Sequence, residues 1–456
     1  MQSKLFKNVI NKSKDSAKTI AKHLPELPLP SSNTKIAITG LSRSGKTVFI
    51  TSLIDQLMHQ DKLRTVTLSN PAFKVEIKSP LQNFKRFDYY TLINKLKHEH
   101  VWPEGTDEIS HTLLEFESKS RFSFLGNSKF TIELIDYPGE WLLDLTLLEL
   151  SYKEWSAKTI TWLKEIDGIE VKQYLKTVAS LNENIKGTQV ELKIHTEYKE
   201  LLLYLKKNHY SLLTPGRFIM PSDLINDPIL HFAPIDDAPT ELVKVFQEKY
   251  DRYVKEVVKE IHLEHFKGFE RQVVLIDVIE ALQNGYECYS DMKTGLKSML
   301  KLYDHKNKNF ISQWFAPSIK KVLFIATKAD QVAASQHANF SKLLDDMIQE
   351  LRHEMDISHI STDTQVVSSL KSTMTIAKKY EGMTLSFIRG ILKEDSQVHD
   401  LYPGEMPSMF PTKEEWNTAK YGYKNFLPPK KPYRENEPLE HINMDKVVQK
   451  LIGDLL

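Results

Sequence analysis

The sequence predicts an α/β fold: a mainly parallel sheet interrupted by a large, mostly helical insertion. Three observations carry that prediction. Apolar runs of strand length recur at Lys35–Thr39, Phe130–Ile135, Gln272–Ile276 and Lys321–Ala326, as strands buried on both faces of a parallel sheet require. The first run feeds a glycine-bearing loop, and Val48–Met58 leaves that loop with helical spacing of apolar residues. Between Asp136 and Gln272 the patterning is instead helical, at Leu142–Trp155, Ile169–Leu181 and Glu197–Leu205, punctuated by Thr214-Pro215-Gly216 and Ala233-Pro234-Ile235. An ordinary α/β connection is far shorter.

The loop after the first strand reads Gly40-Leu41-Ser42-Arg43-Ser44-Gly45-Lys46-Thr47, a full GxxxxGK[ST] pattern. In such a strand–loop–helix unit, backbone N–H groups and the helix N-terminus converge on phosphate oxygens. Ser42, Arg43, Ser44, Gly45, Lys46, Thr47 and Val48 are the expected cradle. Lys46 is placed to reach the β- and γ-phosphates, in a catalytic as well as a binding role, and the Thr47 hydroxyl to sit on Mg²⁺. An ordinary glycine turn is the competing reading; the strand before and the helix after favour the core of a P-loop NTPase.

The run Phe130–Ile135 ends in Asp136-Tyr137-Pro138-Gly139-Glu140. An acid at the end of a buried strand is where a P-loop enzyme holds its magnesium, usually through water. Gly139 completes a DxxG element, whose glycine N–H meets the γ-phosphate in GTPases, although Asp-Pro-Gly combinations also mark plain turns. Many GTPases follow this glycine with a glutamine that orients the attacking water; here the position is Glu140. A carboxylate can position water but brings negative charge toward the γ-phosphate, so slow intrinsic hydrolysis is expected. Arg43 offers positive charge in cis, a known way of stabilising the transition state; a solvated or domain-contact role fits it equally.

Lys321–Ala326 leads into Thr327-Lys328-Ala329-Asp330, an [NT]KxD-like element. A carboxylate at Asp330 can accept two hydrogen bonds from guanine N1–H and the 2-amino group, which adenine cannot supply, and an unpaired carboxylate in a desolvated pocket is costly. The Lys328 stem can lie along the purine face. A strand-end turn with Asp330 capping a helix is the alternative. Gln365–Ser372, a strand ending in small polar residues, has the pattern of a final base-contacting loop, with Ser369 and Leu370 at the contact. A threonine is also needed where magnesium meets the γ-phosphate. Thr106, in Trp102-Pro103-Glu104-Gly105-Thr106, is the candidate, with Ser110 and Thr112 as rivals and a plain surface loop as the alternative.

Composition sets the outer bounds. The 61 basic and 60 acidic residues give no general pull toward nucleic acid. One cysteine, Cys288, excludes an intramolecular disulfide and fits a reducing compartment. With no apolar run near transmembrane length, a cytoplasmic protein is expected. Residues 1–24 carry six lysines and one aspartate with apolar residues at helical spacing. Such a helix can lie on an anionic membrane surface, peripherally at the inner membrane, or pack on the protein itself. Pro25, Pro28 and Pro30 make a stiff tether after it. The expected division is therefore 1–33 for this helix and tether, 34–140 and 271–378 for a discontinuous P-loop core, 141–270 for the helical insertion, and 379–456 for a C-terminal extension that packs on the core through a helix capped by Asn443 and running from Met444 to Leu456.

Several of these stretches are matched in one family. Gly40–Phe49, Trp102-Pro103 with Thr106 and Ser110, Asp136–Trp141, Val274–Asp277, Ala326–Asp330 with Gln336–Asn339, Tyr402–Glu405 and the closing Leu451-Ile452-Gly453-Asp454 together resemble the YcjX-like P-loop NTPases, a bacterial family linked to envelope stress. The resemblance implies a cytoplasmic GTP-binding protein with a helical insertion in its nucleotide domain, using GTP or GDP with Mg²⁺. It also adds Trp102 to the nucleotide contacts. Its partner beyond the guanine nucleotide would be a membrane or a membrane-bound stress component. An ATPase, or a nucleotide-dependent adaptor with negligible turnover, are the competing functions.

Overall fold

Side chains alternate across a strand, so an apolar run in a sheet covered on both sides must feed two cores at once. The fold, obtained as a computed structural model, describes residues 33–40, 43–63, 73–80, 84–105, 108–118, 128–181, 187–235, 240–261, 268–300, 319–357, 359–418, 421–434 and 436–455. The lysine-rich segment 1–32, Ser42 and Thr106 lie outside these residues.

Seven strands form the main sheet: β1 (Asn33–Gly40), β2 (Phe73–Lys78), β3 (Ser110–Ser118), β4 (Ser128–Asp136), β5 (Arg271–Ile276), β6 (Lys321–Ala326) and β7 (Ser361–Val366). Their order is β2-β3-β4-β1-β5-β6-β7. The β4–β1, β1–β5, β5–β6 and β6–β7 pairs are parallel, and β3 runs antiparallel to both neighbours. β8 (Thr373–Tyr380), β9 (Met383–Ile391) and β10 (Val398–Leu401) make a separate antiparallel sheet.

Helix α1 (Lys46–Met58) follows β1, and α2 (Tyr89–Asn94) precedes β3. Between β4 and β5 the described chain is helical: α3 (Gly139–Asp144), α4 (Tyr152–Lys164), α5 (Ile169–Ala179), α6 (Thr188–Lys207), α7 (Gly216–Ile219) and α8 (Thr240–Tyr253). Thereafter come α9 (Val278–Asn284), α10 (Tyr286–Leu300), α11 (His337–Ile357), α12 (Lys413–Thr418) and α13 (Met444–Ile452). Leu142–Trp155 is not the single helical stretch its periodicity suggests. Ser151 and Glu154 form a reciprocal capping box, which starts α4 afresh and re-aims the chain. Asn443 also differs from expectation: its side chain does not cap α13 but donates to Val366 O at 2.8 Å. No described helix is long and apolar enough to cross a membrane.

Alternation is visible in the two cores. Ile36, Ile38, Val273, Leu275, Leu323 and Ile325 face α1 and α13, joining Phe49, Leu53, Val447 and Leu451. Ala37, Val274, Ile276, Val322 and Phe324 face the other way and join a core that runs on through α11 and the insertion, including Trp155, Tyr198, Phe232 and Tyr250. The insertion thus shares one continuous hydrophobic core with the sheet.

Distant parts of the chain meet at Asp55 on α1, whose side chain is fully buried. Its Oδ1 accepts from Tyr89 Oη at 3.1 Å and Lys97 Nζ at 3.0 Å, and its Oδ2 from Leu439 N at 2.6 Å. Asp55→Ala leaves Lys97 as an uncompensated buried charge and should cost about 3–5 kcal/mol, read as a lower urea midpoint at an unchanged m-value. An unshifted midpoint would show that Asp55 does not hold the C-terminal segment in place.

Candidate nucleotide-binding site

The parallel strands β1, β4, β5, β6 and β7 all end on one edge, at Gly40, Asp136, Ile276, Ala326 and Val366. Open α/β sheets bind ligands outside that edge. Antiparallel β3 starts there too, since Ser110 pairs with Asp136. Ser110 therefore sits beside Asp136. Thr112 lies two residues inside the sheet opposite Leu134, only 1% exposed, whereas Ser110 is at the edge itself.

Tight backbone geometry shapes the phosphate loop. A Cβ on Gly40 would lie 2.4 Å from Ser44 Oγ and 2.8 Å from Leu275 O, so only glycine fits. Arg43 (φ 65°) and Gly45 (φ 82°) are both left-handed, and α1 begins with Phe49 N donating to Gly45 O at 2.9 Å. Lys46 is buried and its Nζ donates to Gly40 O at 3.2 Å. Burial pushes the Lys46 ammonium below its ordinary pKa; Asp136 and Glu140 oppose that, and Lys206 adds to it. Ser44 Oγ is buried with no hydrogen-bond partner among the described residues, an arrangement that costs free energy and that a phosphate oxygen would relieve. Thr47 and Asp136 supply hard oxygens of the kind Mg²⁺ takes, one carboxylate being enough when water and phosphate complete the shell. Among the described residues no group of three or more His, Cys, Asp or Glu could hold a metal alone, so a divalent cation here would rely on those other ligands.

Asp136 leads directly into α3, and α3 is fastened to the insertion. Glu140 is 7% exposed and its Oε1 lies 2.8 Å from Lys206 Nζ on α6. Burial raises the Glu140 pKa, but Lys206 and Lys46 outweigh it and hold the group below its ordinary value. A Cβ on Gly216 would fall 2.3 Å from Glu140 O, so α7 sits on the α3 backbone. Asp144 accepts from Gly216 N at 2.7 Å, Arg217 N at 3.3 Å and Tyr253 Oη at 2.6 Å. Trp141 Nε1 donates to Met220 O at 3.1 Å, and the Arg217 guanidinium stacks 3.7 Å from the Trp141 ring centroid.

Arg43 points into a mixed cluster. Its Nη1 is 3.2 Å from Glu280 Oε1 and 2.8 Å from His209 Nδ1, and that nitrogen is 2.7 Å from the same carboxylate oxygen. These are contacts to the insertion and to α9. Lys328 pairs with Asp277 and lies 3.6 Å from Glu280. Burial lowers the Lys328 pKa, yet the two acids outweigh it and keep the ammonium charged. Burial in turn raises Asp277, while His209 and Lys328 hold Glu280 down despite its burial.

After β6, Thr327 N donates to Ile276 O at 3.0 Å and Ala329 N to Val367 O at 3.0 Å. Asp330 Oδ2 accepts from Ser372 N at 2.9 Å, Ser372 Oγ at 2.7 Å, Thr373 N at 3.1 Å and Thr373 Oγ1 at 3.1 Å. Ser369 is half-buried beside it. Leu370 is buried in a small cluster with Leu96 and Leu439, against which Val48 and Trp102 pack. Trp102 Nε1 donates to Phe426 O at 2.7 Å. Val48, Trp102 and Leu370 thus meet through apolar side chains, which leaves backbone groups for any ligand contact by Leu370.

The structure brings together Arg43, Ser44, Gly45, Lys46, Thr47, Asp136, Gly139 and Glu140, with Lys328 and Asp330 on neighbouring strand ends. Sequence reading missed Lys206, His209, Asp277 and Glu280. Asp277 carried a usable signal, being an acid at the end of a buried strand like Asp136. Lys206 and His209 carried none, because they approach from a distant part of the chain.

Asp144 provides a pH test. Its burial, only partly offset by Tyr253 and the two N–H donors, raises its pKa to about 6. The folded state therefore binds the proton more tightly than the unfolded chain, and the stability this group contributes below about pH 4 is lost as pH rises toward about 6. Asp144→Asn, a neutral isostere, should narrow its stability deficit, or gain an advantage, by roughly 3 kcal/mol on going from pH 4 to pH 7, measured by urea unfolding at both. A difference that does not change with pH would place the Asp144 titration elsewhere.

Sequence comparisons place this site in a known setting. The profile of the YcjX-like family matches residues 34–456. The chain is 30% identical over 446 residues to a protein of Escherichia coli (strain K12) named Ras-like GTPase YcjX, covering 92% of this chain and 96% of that one. A Shewanella oneidensis protein of the same name is 29% identical over 458 residues, covering 92% and 94%. With its P-loop, its Asp136–Gly139 segment and its mainly parallel sheet, the chain belongs to the YcjX-like family.

Proposed function

We propose that the protein is a Mg²⁺-dependent GTPase of low intrinsic turnover that works as a nucleotide-driven switch. One observation carries the reading: the P-loop, the Asp136–Gly139 segment and the Thr327–Asp330 turn emerge side by side from one edge of the sheet. The names of the E. coli and Shewanella relatives support GTP as the nucleotide.

In this reading the loop N–H groups and Lys46 bind the phosphates, and Lys46 exchanges its Gly40 carbonyl for phosphate oxygens. Ser44 Oγ finds an acceptor or donor it lacks. Thr47 and Asp136 hold Mg²⁺, which when bound neutralises charge on the β- and γ-phosphates. Gly139 offers its N–H to the γ-phosphate, and Thr106 joins from the loop before β3. Glu140 positions water, but its pairing to Lys206 restrains it, in keeping with slow hydrolysis. Because α3 is tied to α6, α7 and α8, a pull on Gly139 is passed to the insertion. Arg43 is held by Glu280 and His209 and serves first to join the loop to the insertion.

One observation favours an ATPase instead. Asp330 already accepts four hydrogen bonds from residues 372 and 373, all on Oδ2, a complete structural job with no base present. Oδ1 remains for guanine, and the two roles can coexist. Titration calorimetry of GTP, GDP and ATP with Mg²⁺ separates them. Guanine-selective binding should weaken at least ~10-fold in Asp330→Asn while ATP binding does not; equal binding of ATP and GTP by the native protein would remove the guanine reading.

The envelope-stress role and peripheral membrane contact implied by the family resemblance belong to the same proposal, with the lysine-rich residues 1–24 as the part that meets an anionic surface. Full-length protein should sediment with anionic vesicles, less so as salt rises, and not with neutral ones. Equal recovery on both vesicle types would reject the contact.

A further inference from the structure

The cleft at the phosphate loop is walled on one side by Arg43 and Ser44, on another by Asp277 and Glu280, and on the third by Lys206 and His209 from the end of α6. The insertion therefore contributes Lys206 and His209 to a cleft beside the phosphate loop. Of the cleft's Arg and Lys side chains, Arg43 is committed to Glu280 at 3.2 Å, and nearby Lys328 to Asp277. Lys206 is different. Its one close partner among the described residues is Glu140, at 2.8 Å, the residue directly after Gly139. The Glu140 carboxylate is in turn under the influence of both Lys46 and Lys206.

We propose that Lys206 is a catalytic residue of the GTPase reaction, a cation delivered by the insertion that stabilises charge on the terminal phosphoryl group during transfer, with the Glu140 ion pair as its resting position. The inference rests on the GTPase reading above and deepens it.

Three features support the assignment. Lys206 is in the last turn of α6, where the helix dipole favours a cation. Its side chain is 25% exposed and lines the cleft, so it can leave Glu140 for a phosphate oxygen without crossing the core. Most telling is the placement of its partner. Gly216 packs against the Glu140 carbonyl and Asp144 holds α7, so the Glu140–Lys206 pair is presented from a fixed backbone beside Gly139.

The reaction is hydrolysis. A water oxygen bonds to the terminal phosphorus, and the bond from that phosphorus to the β–γ bridging oxygen breaks, leaving its electron pair on the nucleoside diphosphate. The water protons end on inorganic phosphate and in solvent. Catalysis of such a transfer is mainly positioning and charge stabilisation, which is the contribution assigned to Lys206. Glu140 then has a defined place: its negative charge is cancelled while Lys206 rests on it, and it lies next to the departing ammonium when water must be oriented.

The competing possibility is that Lys206 only neutralises Glu140. A double-mutant cycle separates the two. Single-turnover GTP hydrolysis and GTP affinity are measured for native protein, Lys206→Ala, Lys206→Arg, Glu140→Gln and Glu140→Gln/Lys206→Ala, with melting temperatures as a folding control. Lys206→Ala should lower the hydrolysis rate at least ~10-fold with little change in GTP affinity, Lys206→Arg should restore most of it, and the loss should persist in the Glu140→Gln background. Binding of GDP with aluminium fluoride should weaken in Lys206→Ala while binding of GDP alone does not. An unchanged rate in Lys206→Ala, or a loss that vanishes once Glu140 is Gln, would overturn the assignment. Failure of the native protein to bind GTP would overturn the GTPase reading itself, a separate result.

Discussion

The buried Asp144 carboxylate is the constraint on which this molecule turns. It sits at the end of α3, eight residues beyond Asp136, and accepts from two backbone N–H groups of α7 and from the Tyr253 hydroxyl. A carboxylate this deep is tolerated because those donors replace water. They come from residues 72 to 109 positions away, so one side chain fixes the start of the insertion to its middle and its end. Gly216 completes the clamp, since its missing side chain is what allows α7 onto the Glu140 carbonyl.

That clamp decides how a signal could travel. If α3 were loosely attached, a contact at Gly139 would move a loop and nothing else. Here α3 is buried from Gly139 to Asp144, and its apolar residues belong to the same core as Trp155, Tyr198 and Phe232. Packed cores shift between discrete arrangements rather than bending continuously. Movement of α3 would therefore carry α6 and α7 with it, and with them Lys206 and His209. Such coupling would be reciprocal: displacement of the insertion would move α3 and the side chains it carries.

How much of this was legible in the sequence follows from how local each feature is. The phosphate loop, Asp136–Gly139 and Thr327–Asp330 are contiguous, because a strand end and the turn after it hold all the needed atoms. The sheet was equally legible, as runs such as Val273–Ile276 feed both cores and so show no polar positions. The three-stranded β8–β10 sheet, which spans the expected boundary between core and C-terminal extension, was not read from the sequence. Of its outer strands, β8 is largely exposed and β10 has no fully buried residue, which removes the apolar alternation that marks a strand. The break in Leu142–Trp155 did have a signal, Ser151 three residues before Glu154, which apolar periodicity alone overrode. Lys206 and Gly216 had none: their importance arises only when distant segments meet α3. Asp330 shows a further limit: the sequence offered base reading or a helix cap, whereas its Oδ2 accepts from Ser372 and Thr373 at the start of β8, a contact with a segment 42 residues away.

The C-terminal segment adds a constraint from the opposite side of the site. Leu439 is bound on both its backbone groups, its N–H by Asp55 and its carbonyl by Gln56, both on the helix that leaves the phosphate loop. A few residues on, Lys371 N donates to Glu440 O at 2.7 Å, and Ser368 and Ile442 exchange backbone hydrogen bonds. The segment 439–442 is therefore a strap between the phosphate-side helix and the loop beside Asp330. Leu370 and Leu439 share one buried cluster with Leu96, so the strap is held by packing as well as by hydrogen bonds. Two halves of the cleft that lie more than 300 residues apart in sequence, at α1 and at Ser368–Ser372, are thereby kept in fixed register. The insertion is tied to α3 through Asp144, and the strap ties α1 to the Ser368–Ser372 loop.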